Sequence, residues 1–155
     1  MTAPFVLAIP SKGRLQEQAS AYLDDCGLTL TQDGGASGYT ARLKGVANVE
    51  VRLISAGEIA LALRGGEVHA GIVGEDGLRE ADPELAHSML LKPLGFGRAD
   101  LVVAAPQAWL DVTTVADLAE VARLHRARTG ARLRIATKYL ELAHRFLDAK
   151  GVADY

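Results

Sequence analysis

The 155-residue chain is 49% apolar and 23% charged, with a formal net charge of -2, the balance of a soluble globular protein with one domain or two small lobes. That charge predicts no bulk attraction to nucleic acid or to an anionic membrane, and no apolar run approaches the roughly 20 residues that span a bilayer. Cys26 is the only cysteine, which excludes an internal disulfide, and the opening MTAPFVLAIPSKGR lacks the basic lead and cleavage site of a secretory signal. A reducing, cytoplasmic setting is therefore expected.

Apolar runs of strand length alternate with helical patterns along the chain. Phe5 to Ile9 is the first strand. Leu15, Ala19, Tyr22, Leu23 and Cys26 then recur at helical spacing, up to a stop at Gly27. This places Cys26 on the apolar face, as a buried thiol. Asp33 to Gly38 reads as a loop, Tyr39 to Leu43 and Val49 to Ile54 as strands, and Glu58 to Leu63 as a short helix closed by Gly65-Gly66. His69 to Val73 is strand-like and runs into Gly74-Glu75-Asp76. The stretch Met89 to Leu94 leads into Gly-Phe-Gly-Arg, and a strand follows at Leu101 to Ala105, halted by Pro106. Thr113 caps a helix from about Thr114 to Arg128. A strand at Leu133 to Thr137 and a helix from about Leu140 to Lys150 complete the pattern. Such alternation implies βα units, an α/β fold and mainly parallel sheets. PLGFGRAD, at Pro93 to Asp100, is the best lobe boundary, giving a first lobe of residues 1–93 and a second of 94–155.

Three segments could carry chemistry. In an open α/β sheet, ligands bind beyond the carboxyl ends of the strands, and Ser11-Lys12-Gly13-Arg14 lies at such an end. Helix amides there favour an anion, Gly13 permits close approach, Lys12 adds a point charge and Arg14 a two-pronged contact. The alternative is a helix start with two solvated cations, and the pattern is not a Walker A loop. Gly74, Glu75 and Asp76 form a second strand-end turn, able to receive ribose hydroxyls or hold magnesium through water, or simply to cap a helix. The third segment is basic: Arg123, Arg126, Arg128, Arg132, Arg134 and Lys138 occur from Val121 to Leu140 without an acid. Its arginines read as a wet helix face, while Thr137-Lys138-Tyr139 again follows a strand and precedes a helix. The run lacks the interleaved aromatics of a nucleic-acid site. His69, His87, His125 and His144 are too scattered for a metal centre and read as packing or surface residues. Gly95-Phe96-Gly97 is not a dinucleotide fingerprint, and no Gly-x-Ser-x-Gly elbow occurs.

Four ordered segments, LAIPSKGRLQEQA, VRLISAGEIALALRGGEVHAGIVGEDGLRE, LKPLGFGRADLVVAAP and RIATKYLELAHRFLDAKGV, resemble the ATP phosphoribosyltransferase family of histidine biosynthesis. The opening motif of that family usually reads Pro-Lys-Gly-Arg, whereas here Ser11 stands between Pro10 and Lys12. The resemblance implies a two-lobed architecture like that of type II periplasmic binding proteins. It implies transfer of 5-phosphoribosyl from phosphoribosyl pyrophosphate to N1 of ATP, with magnesium on the substrate phosphates, release of pyrophosphate and feedback inhibition by histidine. Lys12, Arg14 and Arg52 are then the catalytic cations for the leaving group. Ser11, Gly13, Gly74, Glu75, Asp76, Thr137, Lys138 and Tyr139 become substrate-binding residues. A homo-oligomer is implied, with a separate regulatory subunit if the protein is of the short form, which its compact first lobe resembles more closely. The family's phosphate-grasping loop follows the Ala-Thr-Lys-Tyr helix, after which this sequence stops at GVADY, so an incomplete catalytic chain is expected. Two rival readings share the fold: a ligand-binding module indifferent to phosphoribosyl pyrophosphate, and a regulatory fragment that associates without turnover.

Overall fold

The structure, a computed structural model, describes residues 3–32, 38–84 and 90–155. The expected loop at Asp33 to Gly38 lies outside the described residues except for Gly38, as do Met89 and His87. Two compact units are present, Met1–Arg98 and Ala99–Tyr155. Residues 94–98 stay with the first because Phe96 packs against its core, with its ring 5.9 Å from that of Tyr22.

In chain order the first unit comprises β1 (Phe5–Pro10), α1 (Gly13–Asp25), β2 (Leu30–Gln32), β3 (Thr40–Leu43), β4 (Val49–Ile54), α2 (Ala56–Arg64), β5 (Ala70–Gly71) and α3 (Glu75–Ala81). The five strands form one sheet in the order β2-β3-β4-β1-β5. Strand β1 is central and runs parallel to both neighbours, with Ala8 opposite Arg52 on β4 and Gly71 on β5. The sheet is mixed, however, since β2 pairs with β3 and β3 with β4 in antiparallel fashion. This corrects the expectation of a mainly parallel sheet. A parallel link needs a crossover of a dozen or more residues, and the turn from Lys44 to Asn48 between β3 and β4 is too short for one.

Alternation along the strands sorts their side chains onto two faces. Ile9, Val51 and Leu53 meet Ala19 and Leu23 of α1 on one face, together with Ala41 and Leu43 of β3. Val6 and Ala8 meet Ile59 and Ala62 of α2 on the other. Burial on both faces is why β1 reads as an unbroken apolar run. Helix α3 joins α2 through Leu78 and Ala60. Its start was legible in sequence as an acidic turn or helix cap, and β2 was not legible at all.

The second unit holds α4 (Val115–Thr129) and α5 (Leu140–Ala149). Leu118 and Ala122 of α4 pack with Leu147 of α5 and with Val152, flanked by Trp109, Leu133 and Ile135. Helix α4 stops at Gly130, whose φ of 72° is left-handed. The N-cap of α4 is Thr114 rather than Thr113, although both hydroxyls donate to the Asp117 carboxylate. The strands expected at Leu101 to Ala105 and Leu133 to Thr137 are not strands here. Leu133 and Ile135 contribute to the core, and the Leu133 amide donates to the Asp154 carbonyl at 2.9 Å. Neither segment has a ladder partner among the described residues.

Cys26 is also placed differently from expectation. It is the C-cap of α1 and is exposed. The helix ends at Asp25, so the apolar stripe extrapolated from Ala19 and Leu23 does not continue to the thiol. His69, by contrast, does pack: its Nδ1 accepts the Val6 amide at 2.9 Å and its ring stacks on Phe5.

Candidate functional site

The carboxyl ends of β1, β4 and β5 share one edge of the sheet, and each strand leads into the start of a helix there. At β1 the buried Pro10 ends the strand, and the Ser11 amide donates to the Ile54 carbonyl of β4 at 2.9 Å. Lys12 is then extended, with φ -161° and ψ 165°, and Gly13 turns the chain at φ 78° into α1. Only glycine adopts that angle without strain, and a methyl group at Gly13 would meet nothing within 4 Å. The backbone at this turn is therefore open to an approaching group. Lys12, Gly13 and Arg14 are all exposed.

The two helix starts that flank this edge differ in chemistry. Helix α1 has no side-chain cap bond and no acid in its first turn. Among the described residues no side-chain acceptor meets its first-turn amides, while Lys12 and Arg14 add positive charge. Helix α2 is closed on itself by a capping box: the Glu58 amide donates to Ser55 Oγ at 3.3 Å and the Ser55 amide to Glu58 Oε2 at 2.8 Å. The Ser55 hydroxyl, and then its amide, hold the Glu58 carboxyl below the usual carboxylate range. An anion is therefore favoured at α1 and disfavoured at α2. The sequence carried the signal for this box in Ser55-Ala56-Gly57-Glu58, which the strand-and-helix reading passed over.

At the start of α3, Gly74 is the N-cap and Glu75 and Asp76 fill the first turn. Glu75 accepts from Arg79 Nε at 2.8 Å, one turn further on. The Asp76 carboxylate folds back over Gly74, where any larger side chain would collide with it. Among the described residues no group of three or more His, Cys, Asp or Glu side chains could hold a metal ion.

Arg52 stands apart from the Lys12–Arg14 turn. It lies within β4, two residues before its end, and its Nε donates to Glu50 at 2.9 Å. It borders a shallow depression of about 300 Å³ that Glu58 and Glu67 also line. Thr137, Lys138 and Tyr139 belong to the second unit and form a local turn before α5. The Tyr139 amide donates to Thr137 Oγ1 at 2.9 Å, and Lys138 Nζ lies 4.6 Å from the centre of the Tyr139 ring.

Together the fold and this edge define an α/β protein with an uncapped, cationic helix start suited to an anion. The family model described as "HisG: ATP phosphoribosyltransferase" matches residues 55–154. Across its whole length the chain is 55% identical to an ATP phosphoribosyltransferase of Caulobacter vibrioides (strain NA1000 / CB15N), covering 49% of that protein. It is 52% identical to one from Rhodopseudomonas palustris (strain BisA53) and 48% identical to one from Bradyrhizobium sp. (strain ORS 278), covering 48% of each. The chain belongs to the ATP phosphoribosyltransferase family. It spans about half the length of the curated relatives it matches.

Proposed function

We propose that this chain serves in the transfer of a 5-phosphoribosyl group from phosphoribosyl pyrophosphate to N1 of ATP, and that the Lys12–Arg14 turn receives the pyrophosphate. The observation that carries this reading is the contrast between the open, cationic start of α1 and the closed, acidic start of α2. In a chain of this family, the first is where a polyphosphate gains most. Breaking the C1–O bond of the ribose leaves positive charge on the sugar and adds negative charge to the departing pyrophosphate. Lys12, Arg14 and the amides after Gly13 are fixed before the reaction and meet that charge as it grows, so they favour the transition state over the ground state. Losing one such contact would cost roughly 3 kcal/mol in the barrier. The adenine nitrogen attacks with its own lone pair, and no residue need act as a strong base.

Gly74, Glu75 and Asp76 would take ribose hydroxyls, and Thr137, Lys138 and Tyr139 would bind substrate. Arg52 joins the leaving group only by exchanging Glu50 for substrate. On this reading magnesium would come with the substrate phosphates and supply further positive charge beside Lys12 and Arg14. The reading carries with it a two-lobed architecture of the type II periplasmic-binding kind, a cytoplasmic setting, a homo-oligomer and, if the protein is of the short form, a regulatory subunit. The test is pyrophosphate release from ATP, phosphoribosyl pyrophosphate and magnesium, with a pyrophosphatase drawing the reaction forward. Release that requires both substrates supports the transferase. Release from phosphoribosyl pyrophosphate alone, or none with both present, counts against it.

A further inference from the structure

The crossover segment Gly95-Phe96-Gly97 closes the first unit, one residue before its last, Arg98. Both glycines are left-handed, with φ of 81° and 71°, and they turn Phe96 inward to pack on the core and on Tyr22 of α1. Their surroundings differ. A methyl group at Gly95 would meet nothing within 4 Å, whereas one at Gly97 would stand 3.0 Å from Leu15 Cδ1 and 3.9 Å from Gln18 Oε1. The Gln18 oxygen is itself buried, with no hydrogen-bond partner among the described residues. A side chain at Gly97 would therefore press on Leu15 of α1, which would have to give by a few tenths of an ångström. Leu15 follows Arg14, and a helical side chain leans toward the N-terminus of its own helix. Leu15 thus leans toward the turn that presents Lys12, Gly13 and Arg14.

We propose that Gly97 and Leu15 are positioning residues for the Lys12–Arg14 turn. The crossover segment, pinned by Phe96, sets the height of the first turn of α1 and so where its amides and the Arg14 guanidinium stand. The functional side of this inference rests on the anion reading above. A side chain at Gly97 displaces Leu15, and Leu15 carries the turn with it. Small displacements of preorganised groups are costly in binding and catalysis.

The test is an amide NMR study of the isotope-labelled full chain, without ligand and then with magnesium pyrophosphate. Gly97→Ala is compared with Gly95→Ala, which imposes a similar backbone strain without a neighbour to push. It is also compared with the double variant Leu15→Ala/Gly97→Ala, in which the displaced group is gone. Gly97→Ala is expected to shift the Gly13 and Arg14 amides and weaken pyrophosphate binding on the order of fivefold. Gly95→Ala should do neither, and the double variant should return both readouts toward wild type. Unmoved Gly13 and Arg14 amides in Gly97→Ala overturn the inference, as does a double variant that recovers nothing or an equal effect from Gly95→Ala. If Gly97→Ala does not fold, Leu15→Phe, which crowds the same contact from the helix side, must move the same amides, and its failure to do so overturns the inference too. A wild-type chain that binds no pyrophosphate contradicts the proposed function and removes the functional part of this inference. Binding by wild type that Gly97→Ala leaves intact contradicts the inference alone.

Discussion

The Ser11 amide donates to the Ile54 carbonyl at 2.9 Å, tying the exit of β1 to the end of β4. This bond sets the starts of α1 and α2 along one edge of the sheet while the helices pack on opposite faces. The two starts share geometry and differ in charge. Ser55 and Glu58 satisfy the amides of α2 internally, whereas Lys12 cannot accept a hydrogen bond and so cannot cap α1. Selectivity for an anion at one start over the other follows from these few residues.

Gly71 holds β5 against α2. A methyl group there would stand 2.6 Å from Ile59 Cγ2, and Ile59 is fully buried. Gly71→Ala is expected to destabilise the first unit by about 1–3 kcal/mol, the usual cost of overpacking. Urea unfolding measures this, and Gly71→Ala/Ile59→Leu, which removes the Cγ2 methyl at nearly constant volume, should recover part of the loss. A stability unchanged from wild type would contradict the packing described.

The start of α4 should be sensitive to acid. The Thr114 hydroxyl donates to Asp117 at 2.8 Å, and the amides of Thr114 and Thr113 add bonds at 2.7 and 3.0 Å. Together, with the Thr114 hydroxyl first, they hold the Asp117 carboxyl below its usual range. A carboxylate depressed in the folded state contributes stability that is complete above its unfolded value, about 3.9, and is lost as the pH falls through the folded one. Wild type should therefore exceed Asp117→Asn in stability at neutral pH, and the difference should shrink to nothing in strong acid. A difference independent of pH would refute this.

Cys26 caps α1 in the open. One equivalent of an aromatic disulfide reagent should modify the native chain without denaturant. Protection until unfolding would restore the buried thiol that helical periodicity suggested.

What the sequence revealed and what it hid divide along physical lines. Strands β1 and β4 and helices α1, α2, α4 and α5 were legible because their signals are local: apolar runs, helical spacing, and stops at Gly27 and Gly65. Strand β2 has only three residues, too few to show a period, and its identity comes from pairing with β3. The same dependence on a partner explains Leu101 to Ala105, whose composition is that of a strand although nothing among the described residues pairs with it. Helix α3 hides behind Gly74 and Gly77, which read as a turn. At the site, the Lys12–Arg14 turn was visible from strand, glycine and charge in sequence. The Glu50 partner of Arg52 depends on side-chain geometry, and the Leu15–Gly97 contact joins residues distant in sequence, so neither could be read from spacing.

The most direct test of the account is a calorimetric titration of the chain with magnesium pyrophosphate, comparing wild type with Lys12→Ala and with Lys44→Ala. Lys44 follows β3, which runs antiparallel to β4, and so lies toward the other edge of the sheet. A charged hydrogen bond lost at Lys12 should weaken binding about tenfold or more, and Lys44→Ala should bind as wild type does. Equal losses in the two variants, or a Lys12→Ala chain that binds as tightly as wild type, would contradict the assignment of the pyrophosphate to the start of α1.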